Sequence, residues 1–278
     1  MALAKIDETP SSVGDGNSSE GDFLRAEGIS MRFNKGGRNE VQALNRVDLG
    51  IKRGRFVCFV GPSGCGKSTL LNIFAGLLRQ SEGTVRLDGE EVRGVNTKAG
   101  YITQHDTLLP WSSVRSNVEL SLRARGYSAA ERRERTSRAI ENVGLERFQN
   151  LYPSQLSGGM RKRVLLARTL AYDPDLILMD EPYGALDAQM RHRLQTQLLE
   201  TWSTGGKTIV FVTHDLDEAL LLADEIVVFA ANPGRVVYRT DVDLPRPRDL
   251  SSLRTDPRFG ELWETLWAKM DHADGTDH

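Results

Sequence analysis

The chain has 278 residues, with 36 Lys and Arg against 38 Asp and Glu, a formal net charge of -2, 39% hydrophobic and 27% charged residues. That is an ordinary globular composition with length for a sizeable core, and it excludes a global basic field for nucleic acid. No run reaches the roughly 18 apolar residues of a membrane span; the richest stretch, Ala219 to Ala231, is broken by Asp224 and Glu225. The start, MALAKIDETP, lacks a charged-then-apolar leader pattern, and Cys58 and Cys65 make no disulfide framework. A reducing cytosol is therefore expected.

Residues 1–21 are rich in Ser, Gly, Asp and Glu and are expected to form a disordered tail. From Phe23 β-rich runs follow: Phe23 to Phe33, Val47 to Ile51 and Thr84 to Leu87, punctuated by Gly and Asp. Phe56 to Val60 is wholly apolar and precedes a Gly-rich turn and a helix expected over Thr69 to Leu78. Between Val114 and Tyr172 helix formers dominate, so a helical insertion is expected there. Its Arg-rich stretch, Glu131 to Arg138, reads as a solvated helix face rather than a nucleic-acid patch. Leu176 to Met179, Thr208 to Thr213 and Ile226 to Phe229 are further apolar runs. Continuous apolar runs separated by helices predict parallel strands covered on both faces. Two intervening helices are amphipathic: Leu194, Leu198 and Trp202 recur every four residues, and Leu216, Ala219, Leu220 and Ala223 follow i, i+3, i+4, i+7 spacing.

The run Gly61, Pro62, Ser63, Gly64, Cys65, Gly66, Lys67, Ser68, Thr69 fits G-x-x-x-x-G-K-[ST] between an apolar strand and a helix. Glycines let amides curl around phosphates, and the helix N-terminus adds partial positive charge. Lys67 is expected to reach the β- and γ-phosphates, and Ser68 to hold Mg²⁺. A thiol at Cys65, among those amides, is expected to react readily; Cys58, mid-strand, is expected to be inert. Asp180 ends an apolar strand, which predicts a metal-binding carboxylate at the sheet's C-terminal edge. Glu181 follows it as a candidate base separate from the metal ligand. Leu156-Ser157-Gly158-Gly159-Met160 opens a helix running to about Tyr172; on its own it is equally a plain capped start or an anion-facing one.

Taken together, these motifs in this order resemble the nucleotide-binding subunit of ATP-binding-cassette transporters, over about Phe23 to Phe229. LSGGM is similar to the family signature, Leu178 to Pro182 to its acidic strand motif, and Gly184 to Asp187 to the loop that follows. Gln104 and His214 fall at the glutamine-loop and switch-histidine positions. The resemblance implies an α/β fold: a P-loop NTPase core with a mainly parallel sheet, an antiparallel β subdomain and an inserted helical subdomain. It implies that residues 22–243 form the cassette, with the helical part at about 105–172, and that 244–278 form an extended segment and helix. It implies ATP and Mg²⁺ as ligands. Phe33 would stack on adenine, residues 61–69 and Asp187 would bind nucleotide, and Ser68, Gln104 and Asp180 would hold the metal. Gln104 would contact that metal or the attacking water and sense the membrane partner, Glu181 would be the base, and His214 would bond the γ-phosphate. Ser157, Gly158 and Gly159 would face ATP held by a second copy in a head-to-tail dimer.

LSGGM and the tail from Leu244, LPRPRDLSSLRTDPRFGELWETLW, are similar to the nitrate, sulfonate and taurine importer branch. The implied function is ATP hydrolysis powering uptake of a small solute. The implied partners are an integral membrane permease and, indirectly, a solute-binding protein, with no nucleic acid. The implied place is the cytoplasmic face of the plasma membrane. Two rivals are a soluble cassette ATPase, which usually fuses two cassettes or carries long coiled coils, and a nucleotide-gated module without turnover, which tends to lack Glu181 and His214. Lys162 stands where Gln is often seen and is expected to be a tolerated helix-surface change. His105, His192, His272 and His278 show no metal-ligand spacing.

Overall fold

The computed structural model describes residues 21–184 and 186–273, so the expected tail lies, but for Gly21, outside the described residues. In chain order the elements are β1 (Asp22–Phe33), β2 (Val41–Lys52), β3 (Phe56–Val60), α1 (Lys67–Phe74), β4 (Glu82–Leu87), β5 (Glu90–Glu91) and β6 (Ala99–Ile102). Three helices follow: α2 (Val114–Ala124), α3 (Ala129–Asn142) and α4 (Gly158–Leu170). Then come β7 (Leu176–Asp180), α5 (Ala188–Gly205), β8 (Thr208–Val212), α6 (Leu216–Leu222), β9 (Glu225–Ala230), β10 (Arg235–Asp241), α7 (Leu250–Leu253) and α8 (Pro257–Ala273).

The central sheet has the order β10-β9-β3-β8-β7-β6. Its neighbours from β9 to β6 are parallel, and β10 runs antiparallel along the edge. Every residue of β3, β7, β8 and β9 is buried, which is why those strands read as unbroken apolar runs. Their side chains alternate between two cores. Cys58, Met179, Phe211 and Val228 face the core shared with the helices α4, α5, α6 and α8. Val57, Phe59, Leu178, Val212 and Phe229 face the core shared with α1 and the second sheet. That second sheet, β2-β1-β4-β5, is antiparallel throughout. Together these layers make an α/β P-loop NTPase fold.

Several boundaries differ from expectation. Helix α1 ends at Phe74 rather than Leu78, because Gly76 takes φ +67 where the backbone of Gly94 crosses; a β-carbon there would lie 1.7 Å from the Gly94 carbonyl oxygen. β2 starts at Val41, six residues before the apolar run at Val47, on a stretch in which Leu44 alone is buried. β6 and β10 were not expected as strands. β6 has four residues with Gly100 inside, and β10 lies half-exposed on an edge.

Helices α2, α3 and α4 are capped by Ser113, Ser128 and Ser157, and Ser128 forms a reciprocal capping box with Glu131. The Arg-rich face of α3 is solvated and internally matched: Arg132 pairs with Glu119, and Arg135 lies over the Tyr127 ring. Beyond β10 the chain is tied across the end of α6. Buried Arg248 donates to the carbonyls of Leu220, Ala223, Val242 and Leu244, and Arg246 bonds Asp224 at 2.9 Å. Phe259 and Leu266 then seat α8 on the core. Among the described residues no helix is long and apolar enough to cross a membrane.

Candidate active site

The turn from β3 into α1 carries the Gly-rich loop. Gly66 caps α1 in a left-handed conformation, φ +90, with no side-chain cap. A β-carbon there would lie 2.5 Å from Leu44 and 2.8 Å from the Ala43 carbonyl oxygen. The amides at the start of α1 are thus left without a side-chain acceptor, as an anion-binding helix start requires. The Lys67 ammonium lies over the loop, donating to the carbonyls of Gly61 and Pro62 at 2.8 Å each and to Cys65 Sγ at 3.2 Å. The next residue, Ser68, donates to Asp180 Oδ1 at 2.9 Å, so the end of β7 meets the start of α1. Burial pushes the Asp180 carboxyl up, and the Ser68 bond opposes that shift.

Glu181 follows in an unusual backbone conformation, φ +42, with its amide held by the Val212 carbonyl at 3.1 Å. A positive φ at a non-glycine residue costs on the order of 1–3 kcal/mol and persists where the surroundings over-determine it. Its carboxylate is approached from two sides. Gln104 Nε2 donates to Oε2 at 3.1 Å, and His214 Nδ1 lies 3.5 Å from Oε1. Gln104 stands just past β6 and His214 just past β8, so β7 and the strands either side of it deliver three groups to one point.

The other expected residues lie on separate elements. Phe33 is exposed at the end of β1. Ser157 caps α4, while Gly158 is exposed and Gly159 is buried against Met190 of α5. Asp187 is engaged as the N-cap of α5, accepting from the Met190 amide at 2.9 Å. Ser63 and Gly64 are exposed in the loop, and Thr69 lies in the first turn of α1.

Two expectations are corrected. Cys65 is fully buried in the apolar core rather than offered to reagents, although its amide belongs to the loop. Cys58 is buried as expected, and burial pushes its thiol well up. A thiol reagent is therefore expected to label neither cysteine in the folded protein and both in denaturant, read by absorbance; fast labelling of Cys65 in native protein would contradict this burial. Lys162 is not a helix-surface residue either. It is half-buried, and its ammonium donates to the Gln104 carbonyl at 2.8 Å. No local pattern marks it, since its partner lies 58 residues away.

The Ser68 hydroxyl and Asp180 carboxylate form a small all-oxygen donor set, which suits a hard divalent cation such as Mg²⁺ that keeps several waters. A Gly-rich loop with uncapped amides, a lysine over it and a strand-end aspartate on its serine together have the make-up of the P-loop class of proteins. The family described as ABC transporter matches residues 44–184. The chain is 48% identical to an uncharacterized ABC transporter ATP-binding protein of Methanocaldococcus jannaschii, over 83% of this chain and 86% of that one. It is 43% identical to the taurine import ATP-binding protein TauB of Pseudomonas aeruginosa, over 87% of this chain and 94% of that one. Among solved structures it is similar to the dimeric, post-hydrolysis state of the ATP-binding cassette MJ0796 bound to ADP and Pi, with a TM-score of 0.72 and 34% identity over 80% of this chain and 100% of that one. The chain belongs to the ABC transporter family and is one of its ATP-hydrolysing cassettes.

Proposed function

We propose that this chain is the ATPase subunit of a membrane import system for a small sulfonate-type solute such as taurine. The observation that carries the catalytic half is the convergence of Gln104 and His214 on the Glu181 carboxylate, one residue beyond the Asp180–Ser68 pair. In this reading the amides of residues 61–69 cradle the phosphates and Phe33 stacks on adenine. Ser68 and Asp180 hold Mg²⁺ with Gln104 beside them, and the ion when bound offsets charge on the β- and γ-phosphates. The Glu181 carboxylate takes a proton from water as the water oxygen attacks the γ-phosphorus in line, and the bond from that phosphorus to the β,γ-bridging oxygen breaks, with ADP as the leaving group. Lys67 and His214 stabilise the charge that spreads over the γ-phosphate oxygens.

The same reading assigns Ser157, Gly158, Gly159 and Asp187 to a nucleotide shared with a second, head-to-tail copy. It places residues 22–243 in the cassette, about 105–172 in its helical part and 244–278 in a C-terminal segment. It sets the chain on the cytoplasmic face of the membrane against a permease, served by a solute-binding protein. The taurine import names of several relatives support the solute class. The test is ATP hydrolysis by the chain copurified with its permease and binding protein. Taurine or an alkanesulfonate is expected to stimulate it severalfold, and nitrate or a sugar is not. Stimulation by a sugar or amino acid instead would overturn the solute class and leave the ATPase intact.

A further inference from the structure

Helix α4 grips the segment after β6 with three cationic side chains. Arg161 Nε pairs with Asp106 at 2.9 Å. Arg168 donates to the Thr107 carbonyl at 2.9 Å and to its hydroxyl at 2.6 Å. Lys162 donates to the Gln104 carbonyl at 2.8 Å. The two arginines hold the segment; the lysine's bond falls on the residue whose side chain reaches Glu181.

Lys162 lines a small cavity of about 10 Å³ together with Ile102, Leu166, Met179, Pro182, Tyr183 and Leu194. Burial lowers the ammonium's pKa, and the nearby Asp106 carboxylate opposes that shift. A half-buried ammonium costs free energy unless it is well bonded, and a charge-assisted bond to a carbonyl is about twice as strong as a neutral one. The Gln104 backbone is therefore held closely, while its side chain is otherwise exposed. With the carbonyl pinned, the Gln104 amide nitrogen meets Glu181 Oε2 at 3.1 Å. The result is a continuous path from α4, which Ser157 caps, through Lys162 and Gln104 to Glu181.

We propose that Lys162 is a positioning residue for ATP hydrolysis: it fixes the Gln104 backbone so that the Gln104 amide holds the Glu181 carboxylate, tying the register of α4 to the base. The proposal rests on Glu181 being that base. A shift of α4 along the sheet would then move Gln104 relative to Glu181 without any change in the Gly-rich loop.

The test is steady-state ATPase activity of the full chain as Lys162→Met, Lys162→Arg, Gln104→Ala and the Lys162→Met/Gln104→Ala double variant. Methionine keeps an unbranched stem along the cavity and removes the ammonium, so the thermal midpoint should stay within a degree or two. For Lys162→Met the expected result is a kcat lower by about tenfold, the scale at which groups that orient a catalytic residue act, with KM for ATP changed less than about twofold. Lys162→Arg keeps a donor and is expected to restore most of kcat. The double variant is expected to be no slower than Gln104→Ala alone, because both changes cut one path. Should Lys162→Met not accumulate as folded protein, Lys162→Gln runs the same cycle with a shorter donor, and the same non-additivity is expected. Wild-type kcat in Lys162→Met, no recovery in Lys162→Arg, or effects that multiply in the double variant would each overturn the proposal. Glu181→Gln, measured alongside, separates the two levels: wild-type turnover there removes the base assignment itself, whereas an inactive Glu181→Gln with multiplying Lys162 and Gln104 effects removes only the role of Lys162.

Discussion

Glu181→Gln is expected to bind MgATP with near-wild-type affinity and to hydrolyse it about 10²–10⁴-fold more slowly, the range a general base contributes. The amide is nearly isosteric with the carboxylate, and its oxygen can still accept from Gln104 Nε2. The unusual backbone at Glu181 is set by its amide bond to the Val212 carbonyl, which the substitution leaves alone. What the variant loses is the capacity to accept a proton. Asp180, the neighbouring carboxylate, is committed to Ser68 and is no ready substitute. Phosphate release and binding of a fluorescent ATP analogue separate the two effects. With hydrolysis blocked, ATP should hold two chains together, visible as a doubled mass in gel filtration. Turnover within about tenfold of wild type, with only monomer in ATP, would remove Glu181 from the role.

The parts of this site that were legible in the sequence are those carried by local pattern. The loop from Gly61 to Thr69 announces itself because its glycines, lysine and serine are contiguous. Asp180 and Glu181 announce themselves because a buried apolar strand ends at them. β3, β7, β8 and β9 could be read because burial on both faces leaves no room for polar alternation. β6 and β10 could not: one is short and holds Gly100, the other is half-exposed, so neither has the run or the alternation that marks a strand. Long-range contacts were also out of reach. Cys65 was expected to react readily because it lies among the loop's amides at a helix start; Ser63 and Gly64 beside it are exposed, but its own side chain turns into the core beneath the loop. Lys162 looked like a solvent-facing side chain on a helix, and only the packing of α4 against the segment after β6 reveals its carbonyl partner.

Lys67→Ala is expected to lower kcat/KM by about 10²–10³-fold or more, the loss seen when one preorganised charge stabiliser is removed. Its signature should differ from that of Glu181→Gln. Lys67 is only 6% exposed, and its ammonium already lies over the loop on the Gly61 and Pro62 carbonyls. A phosphate entering the loop meets that charge in the ground state as well as in the transition state. Nucleotide affinity should therefore fall together with kcat, whereas Glu181→Gln should spare affinity. Lys67→Arg should be poorly active too, since a planar guanidinium cannot take the place of a compact ammonium on two carbonyls and Cys65 Sγ. The fold should tolerate Lys67→Ala: the loop's close approaches include Gly61 to the Phe229 carbonyl and Gly66 to the Leu44 side chain and the Ala43 carbonyl, which the substitution does not touch. Nucleotide binding by fluorescence, ATPase rate and thermal midpoint, measured on the same preparations, distinguish these outcomes. A Lys67→Ala variant with unchanged affinity and turnover would mean that residues 61–69 do not hold the triphosphate.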